Sequence, residues 1–263
     1  MDEGSFKSGW RLDPEHLQST FIPFNQDKFS LTKNPNDVDL RVYSPKKRHD
    51  QLSTSTCVCN AVTRGLEIKR IKSLGQSYHV PLSRMDLYYG CRDRMHPNET
   101  KIDKGTYIYL ACGVLCDFGV CREDTVPFID ENMYKPAPVM ASREARLNRV
   151  NSQFRINSLN DNRIDDMIFN LKAGNPIAFG TRVGKDWMEY SGGNKVLTVE
   201  SRPLGLHAML VVSYIGGNFI VENSWSNSWG DNGFALVSPE VFKDVDTTDL
   251  WVICDGTEAW TEK

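Results

Sequence analysis

The chain has 263 residues, of which 40% are hydrophobic and 25% are charged, and its formal net charge is −3. This length and hydrophobic content are enough for one large domain or for two lobes that share an interface. The small net charge gives no global attraction to nucleic acid or to anionic lipid, so we expect neither as a partner.

The start of the chain, MDEGSFKSGW, is polar and acidic and lacks the apolar core of a secretory signal. No apolar run approaches the ~20 residues that cross a bilayer. These features predict a cytoplasmic protein, with export by a non-classical route or packaging in a virion left open, and we expect a monomer. Residues 1–36 are interrupted by Pro14, Pro23 and Pro35, which predicts a leader or wrapping arm that is not a packed domain.

The first regular elements follow the leader. Residues 37–45, DVDLRVYSP, alternate briefly and predict a short strand. From Cys57 onward, apolar residues recur at helical spacing until Gly75, and cap-competent residues 54–56 come just before. Cys57 is therefore expected at the N-terminus of an amphipathic helix, with Cys59 packed in the core.

The second half of the chain is richer in strands. A helix is expected within residues 105–119, a polar helix near 141–150, and a helix followed by a strand within 163–183. We divide a domain of residues 37–254 into a helical left lobe, about 37–140, and a right lobe, about 141–254, and we treat residues 255–263 as a tail. Helices first and strands second predict an α+β fold with two unlike lobes.

One hairpin suggests chemistry. Gly216 and Gly217 mark a turn, and folding the strands back about it brings His207 towards Asn223. An amide that holds one ring nitrogen of a histidine leaves the other nitrogen facing a nucleophile. The free N–H groups at a helix start favour a thiolate at Cys57, and Gln51, six residues upstream, could join the Cys57 N–H in an oxyanion hole.

These residues resemble the papain family of cysteine peptidases, and its short bacterial and bacteriophage branch in particular. The resemblance covers roughly residues 36–254, and its most specific segment is ENSWSNSWGDNGF, which contains Asn223. It implies a helical lobe that carries Cys57, an antiparallel β-barrel-like lobe that carries His207 and Asn223, and a substrate cleft between them. It also implies hydrolysis of polypeptides through an acyl-enzyme on the cysteine, without metal or cofactor.

The resemblance further implies the substrate contacts. Gly105 and Thr106 would lie along the substrate strand, and Trp225 would shield the contact between His207 and Asn223. Gly180 and Gly205 would wall the pocket for the substrate residue two before the cut. Two glycines there predict room for a bulky apolar or aromatic side chain.

The segment LSTST, between Gln51 and Cys57, departs from the family because it contains no glycine. A serine at a position of positive φ would be strained, which keeps open the hypothesis of a catalytically silent binding protein. Thr54 stands where the family has a disulfide cysteine, which fits reduced thiols.

A second activity and a role for the leader also stay open. Acyl transfer to an amine, as in transglutaminase-like enzymes, uses a similar constellation, although those enzymes usually orient the histidine with aspartate. The leader could lie across the cleft and block it.

The remaining cysteines give weaker signals. A zinc site is disfavoured because its candidate ligands lack a companion pair at the usual spacing, and a single disulfide is considered only for an oxidising compartment. The candidate zinc ligands are Cys112, Cys116 and Cys121, and the candidate disulfide partners are these three with Cys91 and Cys254.

Overall fold

The computed structural model describes residues 7–14, 37–95, 97–150 and 152–254, and its strands of four or more residues all lie after residue 150. The predicted tail, 255–263, and parts of the predicted leader, 1–6 and 15–36, lie outside the described residues. The α+β prediction is confirmed. The described helices are α1 Cys57–Leu74, α2 Arg84–Met95, α3 Ile108–Asp117, α4 Ala141–Leu147, α5 Asn160–Lys172, α6 Lys185–Met188 and α7 Pro239–Lys243.

The strands form two sheets. The described strands are β1 Trp10–Arg11, β2 Val38–Asp39, β3 Thr106–Tyr107, β4 Ser152–Arg155, β5 Ile177–Val183, β6 Val196–Leu197, β7 Gly205–Ile215, β8 Asn218–Glu222, β9 Phe234–Val237 and β10 Thr248–Cys254. The larger sheet has the order β4-β10-β5-β7-β8-β9-β6, with β2 beside β7. Its pairs are antiparallel except the β6–β9 pair. The small sheet joins β1 to β3 in parallel.

Helix α1 begins at Cys57, as predicted, and its C-cap is Gly75. Thr56 occupies the N-cap position but makes no side-chain cap hydrogen bond, because its hydroxyl accepts from the Asn60 amide at 2.9 Å. The Thr56 side chain therefore does not cap the N–H groups of the first turn, beside the sulfur of Cys57.

A buried ion network joins α1 to the sheet. The Arg64 guanidinium lies 2.8 Å from the Glu67 carboxylate and 3.0 Å from that of Glu222. Glu222 is the last residue of β8 and directly precedes Asn223. Since breaking a buried ion pair typically costs about 3–5 kcal/mol, this network holds the helix with the candidate nucleophile in register with the strand that precedes the candidate orienter.

Helix α2 has no counterpart among the sequence predictions. Its Arg92 is fully buried, with its guanidinium stacked 3.9 Å from the Tyr88 ring and donating to the carbonyl oxygens of Thr100 and Ile102. A charged residue on the inner face hides the apolar periodicity on which a sequence-based helix prediction depends.

Within the described residues, no helix is both long enough and apolar enough to cross a membrane.

Candidate active site

The hairpin of β7 and β8 places His207 beside Asn223, the residue after β8. The Nε2 atom of His207 lies 2.8 Å from Oδ1 of Asn223. The same oxygen accepts the backbone N–H of Ser224 at 2.7 Å, and this second donor fixes which end of the amide is oxygen. Nε2 must therefore carry the proton in the neutral ring, and Nδ1 is the basic nitrogen.

An aromatic pair covers this contact. The Trp225 ring stacks on the His207 ring with centroids 4.7 Å apart and planes at 21°, and the Trp229 ring meets Trp225 edge-on at 5.5 Å. His207 is fully buried. Burial lowers the pKa of His207 to about 4, although the hydrogen bond to Asn223 acts in the opposite direction.

The Cys57 sulfur lies at the junction of the two lobes and is fully buried. The backbone N–H groups of Ala208, Val58 and Gly9 act to lower the pKa of the thiol and favour its charged form. Burial outweighs them and raises the pKa of Cys57 to about 12. The sequence predicted a stabilised thiolate, from the helix terminus and from a charged histidine nearby. The structure gives the opposite direction because desolvation of the covered sulfur exceeds the helix effect.

Gln51 connects the loop before Cys57 to the segment after Asn223. Its backbone N–H donates to the Ser224 carbonyl oxygen at 2.8 Å, and its side-chain oxygen accepts the Ser224 hydroxyl at 2.6 Å. The side-chain amide donates to the Thr54 carbonyl oxygen at 2.9 Å. The glutamine is thus fixed at the start of the loop, and its role as an oxyanion donor stays a prediction.

The loop that lacks glycine contains one residue of positive φ. This residue is Leu52, at 51°, and neither Ser53 nor Ser55, where the sequence raised concern about strain, has a positive φ. Leu52 is 65% exposed, so its side chain does not compensate by packing. Backbone strain in the loop is therefore confined to a position five residues before Cys57.

Asp103 holds the same loop from the opposite side. Both of its carboxylate oxygens lie 3.1 Å from the Ser55 backbone nitrogen. One of them accepts the Tyr88 hydroxyl at 2.7 Å, and that hydroxyl accepts the backbone N–H of Gly105 at 2.9 Å. Hydrogen bonds to an ionised acceptor are among the stronger ones in proteins. This chain of contacts fixes the loop before Cys57 relative to Gly105.

Residues 7–14, which we name the arm, pass directly over these groups. Thr106 donates its backbone N–H to the Gly9 carbonyl oxygen at 2.9 Å, and β1 pairs with β3 from this point. A Cβ atom on Gly105 would overlap the Gly9 carbonyl, so only glycine permits this approach. A Cβ atom on Gly9 would lie 2.9 Å from the Cys57 sulfur and would overlap the Ser55 carbonyl.

The Trp10 side chain fills the space beside Gly180 and is 2% exposed. A Cβ atom on Gly180 would overlap the indole ring. Gly180 lies within β5, which pairs with β7, and Gly205 pairs with Val183 at the end of these two strands. Its neighbour Leu206 contacts the arm, since its N–H and carbonyl both bond to the Ser8 hydroxyl. The structure thus brings Gly105, Thr106 and Gly180 together around the arm.

Two buried carboxyl groups anchor the end of the arm. Asp249 accepts the Trp10 indole N–H at 3.1 Å and the Asp13 backbone N–H at 2.9 Å, both at Oδ2. Asp13 in turn accepts the Trp251 indole N–H at 2.8 Å.

All seven cysteines are free thiols, and no group of three potential metal ligands occurs among the described residues.

Asp103, Asp249 and Trp10 were not predicted from the sequence. The position of Asp103, two residues before Gly105, is the only local signal that could have pointed to it. Asp249 and Trp10 are separated by more than two hundred residues, and nothing in either segment indicates the other.

The comparisons with known proteins agree with this arrangement. The family model described as papain family cysteine protease matches residues 34–249. An uncharacterized peptidase C1-like protein of Acanthamoeba polyphaga mimivirus is 28% identical over 220 residues, which are 80% of this chain and 70% of that protein. Pro-cathepsin H of Mus musculus is 30% identical over 133 residues, which are 47% of this chain and 37% of that protein. The crystal structure of xylellain, a cysteine protease from Xylella fastidiosa, superposes with a TM-score of 0.72 at 25% identity and covers 89% of this chain and 94% of its own.

Proposed function

Because this chain belongs to the papain family of cysteine proteases, and is a papain-like cysteine peptidase, we propose that it is an endopeptidase with Cys57 as nucleophile, His207 as base and acid, and Asn223 as orienter. The observation that carries this assignment is the contact of His207 Nε2 with Asn223 Oδ1, the same oxygen that accepts the Ser224 N–H. It leaves Nδ1 unprotonated, as a base that accepts a proton from a thiol requires.

The reaction then proceeds in two halves. His207 takes the proton of Cys57, the sulfur attacks the peptide carbonyl carbon, and a C–S bond forms. The carbonyl oxygen, now negative, is stabilised by the Cys57 N–H and the Gln51 amide. His207 gives its proton to the amine as the C–N bond breaks. Water, deprotonated by His207, attacks the thioester, and cleavage of the C–S bond returns the proton to the sulfur.

We extend the proposal to the arm, which would block the cleft until it is displaced. Its Gly9 lies against the sulfur, since a Cβ atom there would be 2.9 Å from it, and β1 occupies the edge of Gly105 and Thr106 where a substrate backbone would pair. Burial raises the pKa of Cys57 and lowers that of His207, so the covered pair is a neutral thiol and a neutral imidazole. The seated arm would therefore suppress both substrate binding and nucleophilicity.

The pocket beside Gly180 would receive the substrate side chain two residues before the cut. It accommodates the indole of Trp10, which supports the sequence-based prediction of room for a bulky aromatic side chain. A peptide-library profile with glycine or alanine preferred at this position would contradict the assignment.

Intact mass after incubation with an epoxysuccinyl inhibitor tests the site. The full chain is compared with Gly9→Val, whose side chain would collide with the Ser55 carbonyl and displace the arm. The matched control is Leu12→Val, an arm residue that is 53% exposed. We expect one slow adduct on the full chain and on the control, a faster adduct on Gly9→Val, and none when Cys57→Ala is added. No adduct on any form would favour the silent binding protein.

The choice between hydrolysis and acyl transfer needs a separate measurement on the Gly9→Val chain. Peptide cleavage in water without incorporation of a labelled amine into casein is the expected result. Incorporation as the main outcome would favour acyl transfer of the transglutaminase type.

A further inference from the structure

The two carboxylate oxygens of Asp249 have different partners. Oδ1 is held by the body of the protein, through the Arg155 guanidinium at 3.1 Å and the Thr248 hydroxyl at 2.8 Å. Oδ2 accepts its two hydrogen bonds from the arm, namely from the Trp10 indole N–H and the Asp13 backbone N–H. The Asp249 side chain is fully buried while the arm is seated.

Strand register connects Asp249 to the candidate catalytic centre. On β5, Gly180 pairs with Ala208 of β7 on one side and with Thr248 of β10 on the other. Ala208 follows His207, and Thr248 precedes Asp249. The pocket that Trp10 fills against Gly180 therefore extends from the neighbourhood of His207 to the carboxylate of Asp249.

Departure of the arm removes both donors from Oδ2. Water can then reach Oδ2 until a substrate side chain fills the pocket, and a side chain without a donor would leave this oxygen buried and unpaired at a large desolvation penalty. We propose that Asp249 is a specificity-determining residue that selects substrates with a tryptophan side chain in this pocket. This inference rests on the proposed peptidase function and names its substrate class.

The charges around Asp249 favour a neutral donor over a cation. Arg155 already compensates the carboxylate at 3.1 Å. Burial lowers the pKa of the nearby Arg163 guanidinium, and the charge of Arg155 lowers it further. An arginine or lysine side chain in the pocket would add a positive charge where the carboxylate is already neutralised. Indole supplies the N–H and the apolar bulk without a charge.

Direct binding measures this preference without requiring turnover. The full chain carries Gly9→Val to displace the arm and Cys57→Ala to prevent cleavage. Fluorescently labelled peptides that are identical except two residues before the cut carry tryptophan, arginine or 3-benzothienylalanine, which replaces the indole N–H with sulfur at nearly the same shape. We expect the benzothienyl peptide to bind about 10- to 100-fold more weakly than the tryptophan peptide, as for loss of a hydrogen bond to a charged acceptor.

Equal Kd values for the tryptophan and benzothienyl peptides would overturn the inference, as would tightest binding by the arginine peptide or no saturable binding of the tryptophan peptide. Adding Asp249→Asn should reduce the difference in Kd between the tryptophan and benzothienyl peptides. If that variant does not fold, the peptide pair alone decides the question. Hydrolysis by the Cys57 chain is measured in parallel. Discrimination without hydrolysis would refute the peptidase proposal only, and hydrolysis without discrimination would refute this inference only.

Discussion

Asp13 and Asp249 meet in one buried cluster, in which the backbone N–H of Asp13 donates to Oδ2 of Asp249 at 2.9 Å. The Asp13 carboxyl also faces the Trp251 indole N–H, the Tyr109 backbone N–H at 3.4 Å and the charge of Arg155. Burial first, and the charge of Asp249 second, raise the pKa of Asp13 to about 7. Between about pH 4 and pH 7, the Asp13 carboxyl is therefore protonated in the seated arm and ionised in a released arm.

Seating of the arm should weaken as pH rises. A solvated aspartate titrates at about pH 4, so the contribution of Asp13 is complete below that value. It decreases between about pH 4 and the pKa near 7 of the seated form, and it is lost above it. We expect the rate of inhibitor labelling of Cys57, divided by the rate for Gly9→Val at each pH, to increase through this window. The ratio for Asp13→Asn should be nearly flat, and an equally steep increase in that variant would contradict the assignment to Asp13.

Trp10→Ala should release the arm. The substitution removes a side chain that is 2% exposed and its hydrogen bond to Asp249. Truncation of a buried tryptophan typically costs about 3–5 kcal/mol, which corresponds to an increase of roughly 100-fold or more in the open population. Labelling of Cys57 should accelerate accordingly. Leu12→Ala, at a position 53% exposed, is the control, and equal acceleration in both variants would show that Trp10 does not anchor the arm.

Asp103→Asn should slow the chemistry without unfolding the protein. The change keeps the size of the side chain but leaves one acceptor oxygen where the Ser55 N–H and the Tyr88 hydroxyl now share two. Because Lys7 of the arm also contacts Asp103 at 3.4 Å, the experiment uses Gly9→Val as parent. Loss of one bond to a charged acceptor predicts about a tenfold decrease in labelling rate.

Tyr88→Phe separates the two parts of that contact chain. It removes the hydroxyl that accepts the Gly105 N–H but leaves the Ser55 contact in place. If the loop position governs reactivity, Tyr88→Phe should affect peptide binding more than labelling by a small thiol reagent. Unchanged labelling in Asp103→Asn would mean that the loop is held by other contacts.

Leu52→Gly should stabilise the fold. A leucine at φ 51° carries about 1–2 kcal/mol of backbone strain, and glycine costs about 0.5–1 kcal/mol in the unfolded chain, so the free energy of unfolding should increase by about 0.5–1 kcal/mol. Leu204→Gly is the matched control, since Leu204 is 56% exposed without a positive φ, and it should be destabilising. Denaturant midpoints measure both. A lower midpoint for Leu52→Gly would contradict the strain.

Local signals in the sequence were sufficient for α1, for the hairpin of β7 and β8, and for the contact between His207 and Asn223. Each depends on short-range rules: apolar spacing and a terminal glycine for α1, and a Gly-Gly turn for the hairpin. Helix α2 was missed because the buried Arg92 breaks the apolar pattern, and its partners are carbonyl groups that only the folded chain supplies.

The sequence by itself determined the family, the α+β class and the set of chemical groups, because these follow from residue type and spacing along the chain. Only the tertiary structure decided the burial, the protonation and the hydrogen-bond partners of these groups. Cys57 is buried as a thiol because Gly9 lies over it. Asp249 accepts a hydrogen bond from Trp10 although 239 positions separate them. Desolvation and long-range hydrogen bonds depend on which surfaces meet in space, and no local pattern encodes that.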